Sequence, residues 1–193
     1  MTNAADPIEI FRELYARASQ ACAEPDATVL STVDANGRPS GRYVLLKGFD
    51  RRGFVFYTNL NSRKGRALAS DPHASLCFYW APIEKQVRIE GDVELVLDTE
   101  ADAYFATRPR ESQLGAWASD QSAPLDARAS LEQRVAELRK RFDSGLVPRP
   151  PFWSGFRLRP DSIEFWTRDP VRLHVRERYE RSGEQWTRTL LNP

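Results

Sequence analysis

Residues 27–58 read ATVLSTVDANGRPSGRYVLLKGFDRRGFVFYT. Apolar and polar residues alternate through Ala27–Val33, the period of a strand with one buried face. Asn36-Gly37 is a strong hairpin signal, because a tight two-residue turn needs positive φ at both positions. Arg42–Phe49 then reads as the returning strand, Arg51-Arg52-Gly53 as a second turn, and Phe54–Thr58 as a third strand. Three consecutive strands joined by short turns predict an antiparallel sheet.

Working outward, the residues before this meander are helical. Asp6-Pro7-Ile8-Glu9 combines an N-cap acid, proline at the first helical position and glutamate at the capping-box position. Ile8, Phe11, Leu14 and Tyr15 follow at helical spacing, so the helix is expected over residues 7–22. Beyond the meander, Ser62–Ser70 reads as a short helix closed by Asp71-Pro72. Ala74–Trp80 and Gln86–Val96 read as long strands. Asp98–Thr107 and Glu111–Ser119 read as short helices. Ser130–Phe142 reads as an amphipathic helix with Leu131, Val135, Leu138 and Phe142 on one face. After the stiff connector Val147–Pro151, strands are expected at Gly155–Leu158, Ser162–Trp166, Arg172–Tyr179 and Trp186–Leu191. About eight strands at hairpin spacing, interrupted by helices, predict a mainly β, α+β fold: a closed or nearly closed antiparallel barrel with peripheral helices. At 193 residues the chain fits one domain, with the barrel over about 27–193.

The 28 basic residues nearly balance 27 acidic ones. That excludes a broad basic surface for nucleic acid, yet leaves room for a small anion pocket. Two cysteines, Cys22 and Cys77, make no disulfide framework, and with His73 and His174 they supply no structural metal set. No run approaches the roughly 18 apolar residues of a membrane span, and no signal-type segment opens the chain, so a cytoplasmic protein is expected.

Three basic clusters stand beside strand ends or helix starts. In Arg42-Tyr43-Val44-Leu45-Leu46-Lys47, period two sets Arg42 and Val44 on one face, and Tyr43, Leu45 and Lys47 on the other. In Tyr57-Thr58-Asn59-Leu60-Asn61-Ser62-Arg63-Lys64 a strand runs into a helix N-terminus, whose free N–H groups and partial positive charge suit a phosphate dianion. In the third, Tyr104 and Arg108 share a helical face four residues apart, and Ser112 opens the next helix. Two separate phosphate sites in one neutral chain suggest a phosphorylated cofactor and a phosphorylated substrate. Arg172, His174 and Arg176, taken as one strand, line up on one face. Like charges there repel, and an anionic ligand relieves them. The plainer readings are solvated arginines at strand ends and Trp117, Trp166 and Trp186 as core or interface anchors.

Taken together the strings resemble the pyridoxine/pyridoxamine 5′-phosphate oxidase family. They are Arg42–Lys47, Phe56-Tyr57-Thr58-Asn59, Ser62-Arg63-Lys64, Gln86-Val87, Tyr104-Phe105, Arg108-Pro109-Arg110, Ser112 through Ser119, Gln121-Ser122, Glu164-Phe165-Trp166 and Arg172-Leu173-His174. The run from Arg108 to Trp117 is the most specific. The resemblance implies an FMN-binding split barrel acting as a homodimer with active sites built from both subunits. FMN is then expected on Arg42, Tyr43, Val44, Leu45, Leu46, Lys47, Tyr57, Thr58, Arg63, Lys64 and Gln86. Gln121 and Ser122 would join from the partner chain, with Trp166 and Arg176. The substrate phosphate is expected on Lys47, Tyr104, Arg108 and Ser112, with Arg172 and His174 over the pyridine ring as the catalytic pair. The implied reaction oxidises pyridoxine or pyridoxamine 5′-phosphate to pyridoxal 5′-phosphate with O2, giving H2O2 and, from the amine, ammonia.

Two departures stand out. The chain begins close to its first helix, so the family's basic N-terminal extension is expected to be shortened. The family's Arg-Leu-x-Pro ending reads Leu190-Leu191-Asn192-Pro193, which removes any ion pair made by that arginine. The competing readings are another FMN-dependent oxidase or reductase of the same fold, a non-catalytic FMN or pyridoxal-phosphate carrier, and a nucleic-acid-binding barrel. The pairing of Tyr104, Arg108 and Ser112 with Arg172 and His174 argues against the first.

Overall fold

The computed structural model describes residues 6–143 and 145–193. The expected shortening of the N-terminal extension falls at residues 1–5, outside them. Nine strands among the described residues form one antiparallel sheet. They are β1 (Ala27–Val33), β2 (Pro39–Leu45), β3 (Gly48–Asp50), β4 (Gly53–Asn59), β5 (His73–Trp80), β6 (Lys85–Leu95), β7 (Trp153–Thr167), β8 (Val175–Ser182) and β9 (Gln185–Leu191). The order is β2-β1-β5-β6-β7-β4-β3. The sheet curls until its ends approach: the Lys47 N–H donates to the Val55 carbonyl at 2.8 Å. This is the expected split barrel.

Strand β7 organises the sheet. One edge pairs with β6 along its length, while the other pairs with β4 over Trp153–Leu158 and with β8 over Ser162–Thr167. The expected pair of strands at 155–158 and 162–166 is therefore one strand. The residues between them, Arg159-Pro160-Asp161, form a bulge, with the register shifting opposite Glu90 and Gly91. Gly91 permits it, since a Cβ there would lie 2.0 Å from the Arg159 carbonyl oxygen. The expected strand 42–49, conversely, divides at Leu46-Lys47. Leu46 turns into the core and its N–H donates to the Asp26 carbonyl.

Helix α1 (Pro7–Ala21) plugs the barrel. The Asp6 carboxylate accepts from the Ile8 N–H at 3.0 Å, capping the first turn as expected. Phe11 is fully buried against Phe49, Phe54, Phe78 and Trp80. Helices α2 (Arg63–Ser70), α3 (Asp98–Thr107), α4 (Arg110–Ala118) and α5 (Arg128–Phe142) gather at one end. The amphipathic face expected for α5 is only partly covered: Val135, Leu138 and Phe142 pack on a second core around Phe105, Leu114 and Trp153, and no α5 residue is fully buried. Among the described residues, no helix is long and apolar enough to cross a membrane.

Candidate active site

A cleft of about 700 Å³ opens between the end of β2, the end of β4, the start of α2, and helices α3 and α4. Its floor is set by how β4 passes into α2. The Ser62 hydroxyl accepts from the Gly65 N–H at 3.2 Å, and Asn59 Oδ1 accepts from the Asn61 N–H at 2.8 Å. Gly65 is required, because a Cβ there would meet the Leu60 carbonyl oxygen at 2.2 Å. Helix α2 is thereby held hard against the strand end, with Lys64 of its first turn lining the cleft.

Cations collect at this corner without carboxylates. Lys64 Nζ donates to Thr58 Oγ1 at 3.2 Å and to Gln121 Oε1 at 3.1 Å. Arg42 donates to the Leu30 carbonyl, to Thr32 Oγ1 and to Ser40 Oγ. Burial pushes Lys64 down from its usual range and the charge of Arg42 pushes it further; burial and then Arg63 do the same to Arg42. Lys64 and Arg42, both depressed and both bonded to neutral oxygens, with Arg63 beside them, are arranged for an anion the chain does not supply.

A second cation group lies across the cleft. Arg108, half-buried at the end of α3, stands with Tyr104 and Ser112. Its Nη1 is buried without a hydrogen-bond partner. Burial lowers its pKa, Tyr104 alone opposes that, and no carboxylate contributes. Lys47 also lines the cleft, but its Nζ is paired with Asp26 at 2.8 Å. Tyr57 is held a phenol: burial first, then Glu100 and Tyr104, push its pKa up to about 12.

The expected residues thus fall into two groups. Val44, Leu45, Lys47, Tyr57, Thr58, Lys64, Tyr104, Arg108, Ser112 and Gln121 line one cleft. Within this chain Gln121 reaches it too, its Oε1 accepting from Thr58 and Lys64. Arg42 and Arg63 are not among the lining residues, though Arg42 is close enough to Lys64 and Arg63 to feel their charge. Tyr43 projects to solvent from β2, Leu46 faces the core, and Ser122 sits in the neighbouring turn at φ +72°.

Gln86, Trp166, Arg172, His174 and Arg176 form the other group, at the ends of β6, β7 and β8. Gln86 pairs in register with Trp166, and Trp166 with Arg176. The single-strand row of Arg172, His174 and Arg176 does not form. Strand β8 begins only at Val175, because the Asp169 carboxylate accepts from the Val171 and Leu173 N–H groups and ties the segment into a loop. Arg172 takes the left-handed conformation at φ +67°, and the His174 ring rests 4.6 Å from that of Trp166. His174 Nδ1 accepts from the Asp169 N–H, which assigns the ring proton to Nε2. Arg176 makes a bidentate pair with the buried Glu164, so its charge is already met. Sequence reasoning missed Trp153, whose ring lies parallel to those of Tyr57 and Tyr104. Its signal was weak, a tryptophan following a proline-rich connector.

Fold and cleft define a split-barrel protein whose single cavity is lined by cations at two corners, Lys64 at one and Arg108 at the other. Comparisons with known proteins narrow this. The family model described as "Pyridoxamine 5'-phosphate oxidase" matches residues 16–142, and "Pyridoxine 5'-phosphate oxidase C-terminal dimerisation region" matches residues 153–193. A pyridoxine/pyridoxamine 5′-phosphate oxidase of Myxococcus xanthus is 57% identical over 189 residues, covering 97% of this chain and 92% of that protein. Its counterpart in Rubrobacter xylanophilus is 54% identical over 97% of this chain and 87% of its own. The crystal structure of PhzG from Burkholderia lata, in complex with tetrahydrophenazine-1-carboxylic acid, matches with a TM-score of 0.92 at 35% identity over 98% of this chain and 94% of that one. A pyridoxamine 5′-phosphate oxidase-related, FMN-binding protein of Nostoc punctiforme shares the fold, at a TM-score of 0.77 and 19% identity over 98% of this chain and all of the other. The chain belongs to the pyridoxine/pyridoxamine 5′-phosphate oxidase family, and is an oxidoreductase.

Proposed function

We propose that the protein binds FMN and oxidises pyridoxine and pyridoxamine 5′-phosphate to pyridoxal 5′-phosphate, with O2 as acceptor. The observation that carries this reading is that Lys64 and Arg108, at two corners of one cleft, have no carboxylate partner, with Arg42 beside the first. Arg42, Arg63, Lys64 and the start of α2 suit the cofactor phosphate; Arg108, Tyr104 and Ser112 suit the substrate phosphate. FMN, when bound, would supply the two-electron acceptor: a hydride leaves the substrate's C4′ and a proton its hydroxyl or amine, and the two electrons and two protons end on dioxygen as H2O2. The amine substrate then yields ammonia on hydrolysis. The chain itself contributes clamping: two fixed phosphates hold C4′ against the flavin, and orientation is a large part of such rate gains.

The second group supports a homodimer with shared sites. Trp166, Arg172, His174 and Arg176 do not line their own chain's cleft, and all fall within the residues matching the dimerisation region. In this reading they complete the partner's cleft, with the Arg172 guanidinium over the substrate ring and the His174 Nε2–H as a donor to it. Free Cys22 and Cys77 accord with a cytoplasmic enzyme.

A second reading, an FMN oxidase for an unphosphorylated cyclic acid, is favoured by the likeness to PhzG. One experiment separates the two. Purified protein should be yellow, and in air with pyridoxine 5′-phosphate it should form aldehyde and peroxide together. Yellow protein that is not bleached anaerobically by saturating substrate refutes the proposal.

A further inference from the structure

We infer that Trp153 is the positioning residue that sets Arg108 for a phosphate monoester without neutralising it, and so fixes the cleft's preference for phosphorylated substrates. The inference rests on the functional reading above and names a residue that reading does not use. Trp153 opens β7, and its ring is only 6% exposed. It lies in a layer of parallel rings: 5.3 Å and 6° from Tyr57, and 6.2 Å and 4° from Tyr104, while Tyr57 and Tyr104 stack at 4.0 Å. The guanidinium carbon of Arg108 sits 4.8 Å over the Trp153 centroid.

Neighbouring arginines are held differently. Arg157 pairs with Glu100 and Asp50, and Arg149 with Asp98 and Asp102. Arg149 also anchors the Trp153 backbone, donating to its carbonyl at 2.8 Å. A carboxylate orients an arginine but cancels its charge and repels an incoming phosphate. A tryptophan face orients it by attraction to the ring quadrupole and leaves the full charge. The buried, unpaired Nη1 of Arg108 fits a group kept free of internal partners. The layer has its own sequence requirement. Gly155, two residues on and on the same face of β7, leaves room for Tyr57, because a Cβ there would lie 2.7 Å from that ring.

The test uses the FMN-loaded enzyme with Trp153→Leu and Trp153→Phe. Trp153→Leu should raise KM for pyridoxine 5′-phosphate about tenfold, about 1.4 kcal/mol, with kcat altered less than about twofold. Inorganic phosphate, titrated into the same protein by calorimetry, should weaken in parallel, while the FMN dissociation constant stays unchanged. Trp153→Phe, which keeps a ring, should recover most of the loss. An unchanged KM, or equal losses in FMN affinity and kcat, overturns the inference. Should Trp153→Leu not fold, Trp153→Phe decides through a small KM rise of about twofold with a parallel weakening of phosphate, no change in either refuting it. A wild type that makes no aldehyde sinks the functional reading, and the phosphate titration still decides the role of Trp153.

Discussion

Replacing Lys64 with Met should separate what the cation corner does for the fold from what it does for the ligand. In the free protein the ammonium is pushed toward its neutral form by burial and by Arg42. Its hydrogen bonds go to neutral oxygens, and Thr58 and Gln121 still face each other at 3.3 Å without it. Three hydrogen bonds, to Thr58, Gln121 and, at 3.5 Å, Ser62, are lost at up to about 1 kcal/mol each, and the desolvation and repulsion that opposed them disappear. The apo protein should therefore change in stability by less than about 1 kcal/mol. A phosphate, however, loses a charge-assisted bond of about 1.5–3 kcal/mol, so FMN affinity should fall about 10- to 150-fold. Flavin titration of apo protein and urea unfolding without flavin measure the two effects. The pH dependence has a definite sign. Because the folded pKa of Lys64 lies below 10.5, its protonated form costs stability. Apo stability should rise as pH climbs through the folded pKa toward 10.5, while FMN affinity falls over the same window. The variant should lack both trends. A large loss of apo stability with unchanged FMN affinity would refute the reasoning and make Lys64 a structural residue.

Other substitutions probe the scaffold. Gly65→Ala drives a Cβ into the Leu60 backbone and should cost about 3 kcal/mol in chemical denaturation, with FMN binding weakened as α2 shifts. Arg172→Gly places glycine at φ +67°, so stability should hold or rise by about 1 kcal/mol; turnover should drop on the order of a hundredfold with FMN affinity unchanged. Glu100→Ala strips the nearer partner from buried Arg157 and should cost about 3 kcal/mol. Ultraviolet titration of the same variant should show Tyr57 moving down from about 12, since Glu100 helps hold it there.

The fold was legible where chemistry is local. The Asp6 cap and the alternation in Ala27–Val33 each act within a few residues and formed where their signals stood. The hairpin expected as a two-residue Asn36-Gly37 turn is a wider loop, with Val33 opposite Pro39 and positive φ at Gly37 but not Asn36. Misreadings arose where a distant partner overrides a local signal. Pro160 reads as a break, yet β6 carries the strand past it because Gly91 accommodates a bulge. The cation row at 172–176 looked like a strand because period two ignores Asp169, whose carboxylate takes two N–H groups a ladder would need. The anion corner was readable from Ser62-Arg63-Lys64, but its lack of carboxylates is a fact of packing. Trp153 gave only a weak signal because its meaning depends on rings 49 and 96 positions earlier in the chain, at Tyr104 and Tyr57.

The fork in β7 has a genetic consequence. One end of the strand, at Trp153, belongs to its own chain's cleft; the other, at Trp166 and roughly 40 Å along the strand, belongs under the proposed arrangement to the partner's. Every chain then carries a half of each of two sites, and two dead chains can repair one another. Co-expressing an Arg108 variant with an Arg172 variant yields mixed dimers in which one site holds both lesions and the other neither. With random pairing, half the dimers are mixed and half their sites intact, so roughly a quarter of wild-type activity returns. Two null alleles of this gene would complement in one cell, while two alleles damaged in the same half would not.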